Sequence, residues 1–160
     1  MFKTILNSLF GDNSKRCPNC SKPITDIPKR KAICQFCNKE IYVRSKQNLF
    51  SSILLNKQDA MAVDWLRKLR SYGLTESDYF AMSRDLERSF RKKPYSTDVI
   101  WGLFSKLILL NRRDLETLGS IHYSMALFLN QEGKDCFAEL QESARMELLS
   151  LRKDSIKMLL

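Results

Sequence analysis

Four cysteines carry the most definite chemistry in this chain. They stand as Cys17-Pro18-Asn19-Cys20 and Cys34-Gln35-Phe36-Cys37, two Cys-x-x-Cys pairs with thirteen residues between them. A Cys-x-x-Cys turn aims two sulfurs at one point, and two such turns supply the four soft ligands, each about 2.3 Å away, of a tetrahedral Zn²⁺. Four thiolates close the shell and leave no position for water or substrate, so the expected metal is structural rather than catalytic. Two disulfides are the other use of such pairs. A secreted disulfide scaffold usually carries a signal peptide and more cysteine. Here there is no secretory signal, and a fifth cysteine, Cys136, is left over.

The neighbouring residues fit turns and short strands. Pro18 stiffens the first turn. Ser21 and Asn38 follow the second cysteine of each pair, where the backbone often needs φ > 0. Ile24 is placed to start one strand. Ile41, Tyr42 and Val43 read as another, with Ile41 and Val43 on one face and Tyr42 and Arg44 on the other. Lys29, Arg30 and Lys31 are expected in the connecting loop after Pro28. The stretch Arg16 to Arg44, about a fifth of the chain, resembles the zinc-ribbon families of transcription proteins and of many small bacterial, archaeal and phage proteins. Those families usually have Gly where this chain has Ser21 and Asn38. The resemblance implies a β-hairpin module around one zinc held by Cys17, Cys20, Cys34 and Cys37. It says little about function, because function resides in sites grafted on a fold.

Charge is concentrated near these cysteines. Residues 1–58 hold eleven Lys/Arg and three Asp/Glu, a formal +8, whereas residues 59–160 hold sixteen and fifteen, a formal +1. Four thiolates and one Zn²⁺ contribute −2, leaving the metallated first part near +6. A basic ribbon beside a nearly neutral remainder is the footprint of a polyanion binder. The candidate nucleic-acid contacts are Lys29, Arg30, Lys31, Tyr42, Arg44 and Lys46, with Tyr42 stacking on a base and the cations meeting phosphates. The alternative is a protein-interaction adaptor, its ribbon a rigid knob and its helices a groove for a partner. Catalysis has no motif to stand on. The single histidine, His122, sits mid-helix, and there is no glycine-rich phosphate loop, His-Glu-x-x-His or nucleophile elbow.

The elements that must position these residues fall into three parts. Residues 1–11 read as an amphipathic helix (Phe2, Ile5, Leu6, Leu9, Phe10) that packs on the helical domain, residues 12–46 as the ribbon, and residues 47–160 as an all-α domain of antiparallel hairpins. Asn48 to Asn56 is read as helical. Asp59 is placed to cap a helix carrying Ala62, Trp65, Leu66 and Leu69, closed by Gly73. Thr75 with Asp78 starts the next, and Pro94 stops it. A third, from Asp98 to about Asn111, is apolar on nearly all sides and should be the most buried, with Trp101, Phe104 and Leu107 central. Asp114 begins a fourth. Asp135 begins a fifth with Phe137, Leu140, Ala144, Leu148 and Leu151 along one stripe. Gly133, Ala138 and Ala144 give the last hairpin a resemblance to a tetratricopeptide-type repeat. Arg91-Lys92-Lys93 and Arg112-Arg113 fall at helix C-termini, where they complement the helix dipole. No apolar run approaches the ~20 residues of a membrane span. The expectation is a cytoplasmic protein.

Overall fold

The computed structural model describes residues 15–26, 28–45 and 52–158. The helix expected over residues 1–11, Lys46 and the boundary expected between residues 46 and 47 lie outside them. Among the described residues, three strands make one antiparallel sheet in the order β1–β2–β3: β1 Lys31–Ile33, β2 Glu40–Ser45 and β3 Ser52–Leu55. Five α-helices follow: α1 Lys57–Leu69, α2 Glu76–Phe90, α3 Ser96–Leu110, α4 Leu115–Gln131 and α5 Phe137–Met158, with a 3-10 turn Arg70–Tyr72 after α1. The packing divides the chain into two compact units at Asp98 and Val99, inside α3.

In the first unit, β2 alternates as its sequence predicts. Ile41 is buried among Cys17, Cys34 and Leu54, with Val43 against the same cluster, while Tyr42 packs on Ile53, Leu55, Ala60 and Val63. Lys31 opens β1, pairing with Tyr42, rather than ending the connecting loop. Ile24 belongs to no strand. Its amide bonds the Lys15 carbonyl at 2.9 Å, and Arg16 faces Pro23 in an isolated bridge. The first cysteine pair therefore sits in a short hairpin of its own.

The helix expected over Asn48 to Asn56 is corrected. Residues 52–55 form β3, paired with β2 through Tyr42 and Leu55, Val43 and Leu54, and Arg44 and Ile53. Ile53 and Leu55 face α1, and Leu54 faces the cysteines. A strand buried on both faces loses its polar alternation, so an apolar run of this kind mimics a helical one. The cap of α1 also moves. Asn56 is the N-cap, its Oδ1 accepting the Asp59 amide at 2.8 Å, while its Nδ2 donates to the Asp59 carboxylate at 2.7 Å. Asp59 is inside the helix because Asn56, right after the strand, satisfies the orphan amide first.

Thr75 and Asp78 form the expected capping box on α2. Gly73 ends the preceding turn at φ 81°, a conformation that favours glycine. Ser96 donates to the Asp59 carboxylate at 2.5 Å and shares a hydrogen bond with Tyr79. Burial pushes the Tyr79 hydroxyl up to about 12.

In the second unit, Trp101 stacks on Phe128 at 6.2 Å and Phe104 meets the same ring edge-on at 5.9 Å. Phe104 and Leu107 are fully buried, and Trp101 is half-buried. Asp114 caps α4, accepting the Thr117 amide at 3.1 Å. α4 and α5 lie antiparallel. Ser143 donates to the Gly119 carbonyl at 2.9 Å, and one turn further along α4 His122 Nδ1 meets Glu139 at 2.6 Å. At Gly119 the two helices lie close, and a Cβ there would meet Ser143, Met146 and Glu147 at 3.5 Å, an ordinary contact distance. Gly133 turns between the two helices at φ 69°, and Ala138 and Ala144 are exposed. The face of α5 that packs on α4 is thus Glu139, Ser143 and Met146. The stripe Phe137, Leu140, Ala144, Leu148 and Leu151 lies outward.

Candidate metal centre

Each Cys-x-x-Cys folds into the same turn. Ser21 N donates to Cys17 O at 2.8 Å and Asn38 N to Cys34 O at 2.9 Å, while Cys17 N and Cys34 N each donate to the carbonyl five residues on, Lys22 and Lys39, at 2.9 Å. Ser21 and Asn38 take φ of 60° and 55°, the positive values expected after the second cysteine. Asn19 donates its side-chain amide to Glu40 O at 3.0 Å, tying the first turn to β2. Its backbone amide points at Cys17 Sγ, 3.4 Å away. The first cysteine of each pair is buried and the second half-buried.

The turns bring all four Sγ atoms within 4.8 Å of one another. Cys17 to Cys37 and Cys20 to Cys34 are each 3.8 Å. A regular tetrahedron of sulfurs about 2.3 Å from its centre has an edge of about 3.8 Å, so the arrangement fits a zinc-sized ion. None of the four forms a disulfide, and 3.8 Å is far outside the ~2.05 Å of an S–S bond. Leu54, Ile41, Ile24 and Val43 pack around the sulfurs. These are the residues that wall the centre from water, and the sequence signal for Leu54 was hidden in the run misread as helix.

With protons in place of an ion, the thiols would not behave alike. The Phe36 amide, followed by the Cys37 amide and the neighbouring thiols, holds Cys34 down to about 6 against burial. At Cys20 the Lys22 amide pulls downward, but burial and hydrogen bonds from the three other cysteines outweigh it and push the thiol up to about 11. The cluster favours one thiolate sharing its neighbours' protons, the state a divalent cation displaces.

The candidate nucleic-acid residues divide into two groups. Lys29 and Arg30 are exposed before β1, with no carboxylate partner among the described residues. Lys31, Tyr42 and Arg44 have partners, and Lys46 lies outside the described residues. Lys31 Nζ meets Glu40 at 2.5 Å and lies over the Tyr42 ring at 5.2 Å; the Tyr42 hydroxyl donates to the same Glu40 at 2.5 Å. Glu40 holds the Lys31 ammonium above its ordinary range and is itself held below the usual carboxylate range, mainly by Lys31. Arg44 clamps Asp64 of α1 through Nε at 2.8 Å and Nη2 at 2.5 Å, and stands 5.9 Å from the Tyr42 ring centre. Glu40 and Asp64 are the residues sequence reasoning missed. The first is two positions from Tyr42 on the same strand face. The second is in contact only through the fold.

Beside the second turn, Ile24, Pro28, Ala32, Ile33 and Phe36 line a shallow groove of about 140 Å³. Ile33 and Phe36 are exposed there, and Lys22 sits 4.8 Å from the Phe36 ring centre. His122 is half-buried against Glu139 and lies on α4, away in sequence from every cysteine. No helix among the described residues is long and apolar enough to cross a membrane. No protein-family model matches the chain, nor does any curated protein or solved structure.

Proposed function

We propose that the protein is a non-catalytic zinc module. One structural Zn²⁺ is held by Cys17, Cys20, Cys34 and Cys37, and the basic ribbon contacts nucleic acid while the helices serve as scaffold. The observation that carries the metal is the two 3.8 Å sulfur contacts between, not within, the Cys-x-x-Cys pairs. Four sulfurs leave no open coordination position, which supports a structural rather than a catalytic ion. The nucleic-acid contact narrows to Lys29 and Arg30, because Lys31 and Arg44 are already paired with carboxylates and the half-buried Tyr42 packs against Ile53 and Leu55. Binding of this kind reads phosphates rather than base edges and is largely sequence-independent. Elemental analysis of freshly purified, reduced protein tests the metal, with one zinc per chain expected. Titration of the zinc-loaded protein with DNA and RNA over a range of salt tests the contact. No affinity even at low salt overturns it.

The exposed Ile33 and Phe36 beside the groove favour one second reading. In it the ribbon is a rigid knob for a protein partner and binds no nucleic acid. Substituting Ile33 and Phe36 by Ser separates the two, since it removes the apolar contact and leaves the salt dependence of nucleic-acid binding unchanged.

A further inference from the structure

The outward stripe of α5 is long, regular and exposed. Phe137, Leu140, Leu148 and Leu151 are 64, 41, 68 and 66 % exposed, with exposed Ala144 between them. Five apolar residues on one face of a helix whose opposite face already packs on α4 cannot be satisfied within the α4–α5 hairpin. Their intervals are 3, 4, 4 and 3 residues, a spacing that reads the same from either end and centres on Ala144. The mean step is about 3.5 residues, the period of a seam between two helices, and the stripe is about 21 Å long. Charge follows the same axis. Residues 137–147 carry three Glu and one Arg, a formal −2, and residues 148–158 carry two Lys, one Arg and one Asp, a formal +2.

We propose that this stripe is the seam of an antiparallel, two-fold symmetric pairing with α5 of a second copy, crossing at Ala144. Phe137 then meets Leu151 of the second copy, Leu140 meets Leu148, and the two Ala144 side chains allow close approach at the axis. The acidic half of each helix lies toward the basic half of the other. A parallel seam sets like charge against like, which disfavours it. The pairing does not depend on the metal reading.

Sedimentation equilibrium of the full, zinc-loaded chain tests the pairing. The expected species has twice the 18.7 kDa mass of one chain. Leu148→Glu is expected to weaken it about a hundredfold, because each dimer loses two buried leucines at about tenfold each, with helicity unchanged by circular dichroism. The geometry is read by cross-linking in a Cys136→Ser background. Ala144→Cys is expected to join to itself across the axis. Phe137→Cys is not, because its copies stand about 21 Å apart, far beyond disulfide reach. A monomer at every concentration overturns the pairing, whether the stripe is then covered by residues 2–10 of the same chain or by a different protein. So does a dimer that Leu148→Glu leaves intact, or one in which Phe137→Cys joins to itself.

Discussion

At the scale of single residues, the two cysteine pairs were legible from spacing alone, because a four-sulfur shell makes a local demand that a few adjacent residues meet. The conformations of Ser21 and Asn38 were legible for the same reason. Partnerships made by the fold were not. Nothing near Arg44 in sequence announces Asp64, so a residue read as a free cation proves to be half of a bidentate pair. Two outcomes follow. Replacing Lys29 and Arg30 by Ala is expected to flatten the slope of log affinity against log salt by about two, whereas Lys31→Ala changes it by well under one, since its charge is already met by Glu40. Titrating zinc affinity against pH is expected to show a fall on acidification, because protons and metal compete for sulfur. Cys34, held at about 6 in the folded protein against an ordinary 9.0, binds no competing proton above 6 and one below it. The slope is therefore expected to steepen by one proton per zinc as pH falls through about 6. The same depression contributes stability to the zinc-free fold that is present above 9.0 and lost as pH falls to about 6.

At the scale of elements, helices with capping signals and stop residues were readable. Thr75 with Asp78, Asp114 and Gly73 mark boundaries by chemistry that needs no tertiary help. β3 and the orientation of α5 were not. β3 is apolar on both faces, so its period is erased, and α5 packs on α4 by Glu139, Ser143 and Met146 rather than by its apolar stripe. Leu54, wholly buried between Ile41 and the sulfurs, gives the sharpest check on β3. Leu54→Ala is expected to cost about 2–5 kcal/mol by denaturant titration. It is also expected to weaken zinc binding, which a surface helix over 48–56 would not predict. On α4, Gly119→Ala is expected to be tolerated, its Cβ landing at ordinary contact distance, while Gly119→Leu forces α5 away. Loss of the α4–α5 hairpin's thermal cooperativity in the leucine variant alone is the expected reading.

At the scale of the molecule, the sheet carries the centre beyond the ribbon. β2 is bonded on one side to β1 and on the other to β3, and the face of β3 away from the sulfurs packs on α1. Removing zinc with a chelator is therefore expected to raise hydrogen exchange from residue 15 through β3 and into α1, while α4, with its aromatic contacts to Trp101 and Phe104, and α5, hydrogen-bonded to α4, keep their protection. Exchange confined to residues 15–45 would show the sheet to be indifferent to its metal. The same sulfurs also set how the molecule is damaged. Each pair hides its first cysteine and shows its second, so exposure directs peroxide to Cys20 and Cys37 while thiolate character favours Cys34. A sulfenic acid on Cys20 finds Cys34, and one on Cys37 finds Cys17, each at 3.8 Å. Condensation of that sulfenic acid with the facing thiol forms the S–S bond and releases water, and the disulfide joins one pair to the other. Peptide mapping after mild oxidation is expected to recover these cross-pair bonds ahead of Cys17–Cys20 or Cys34–Cys37. An oxidised molecule would lose its ion yet keep the two turns stapled, and a reductant would return both sulfurs to a site still in place.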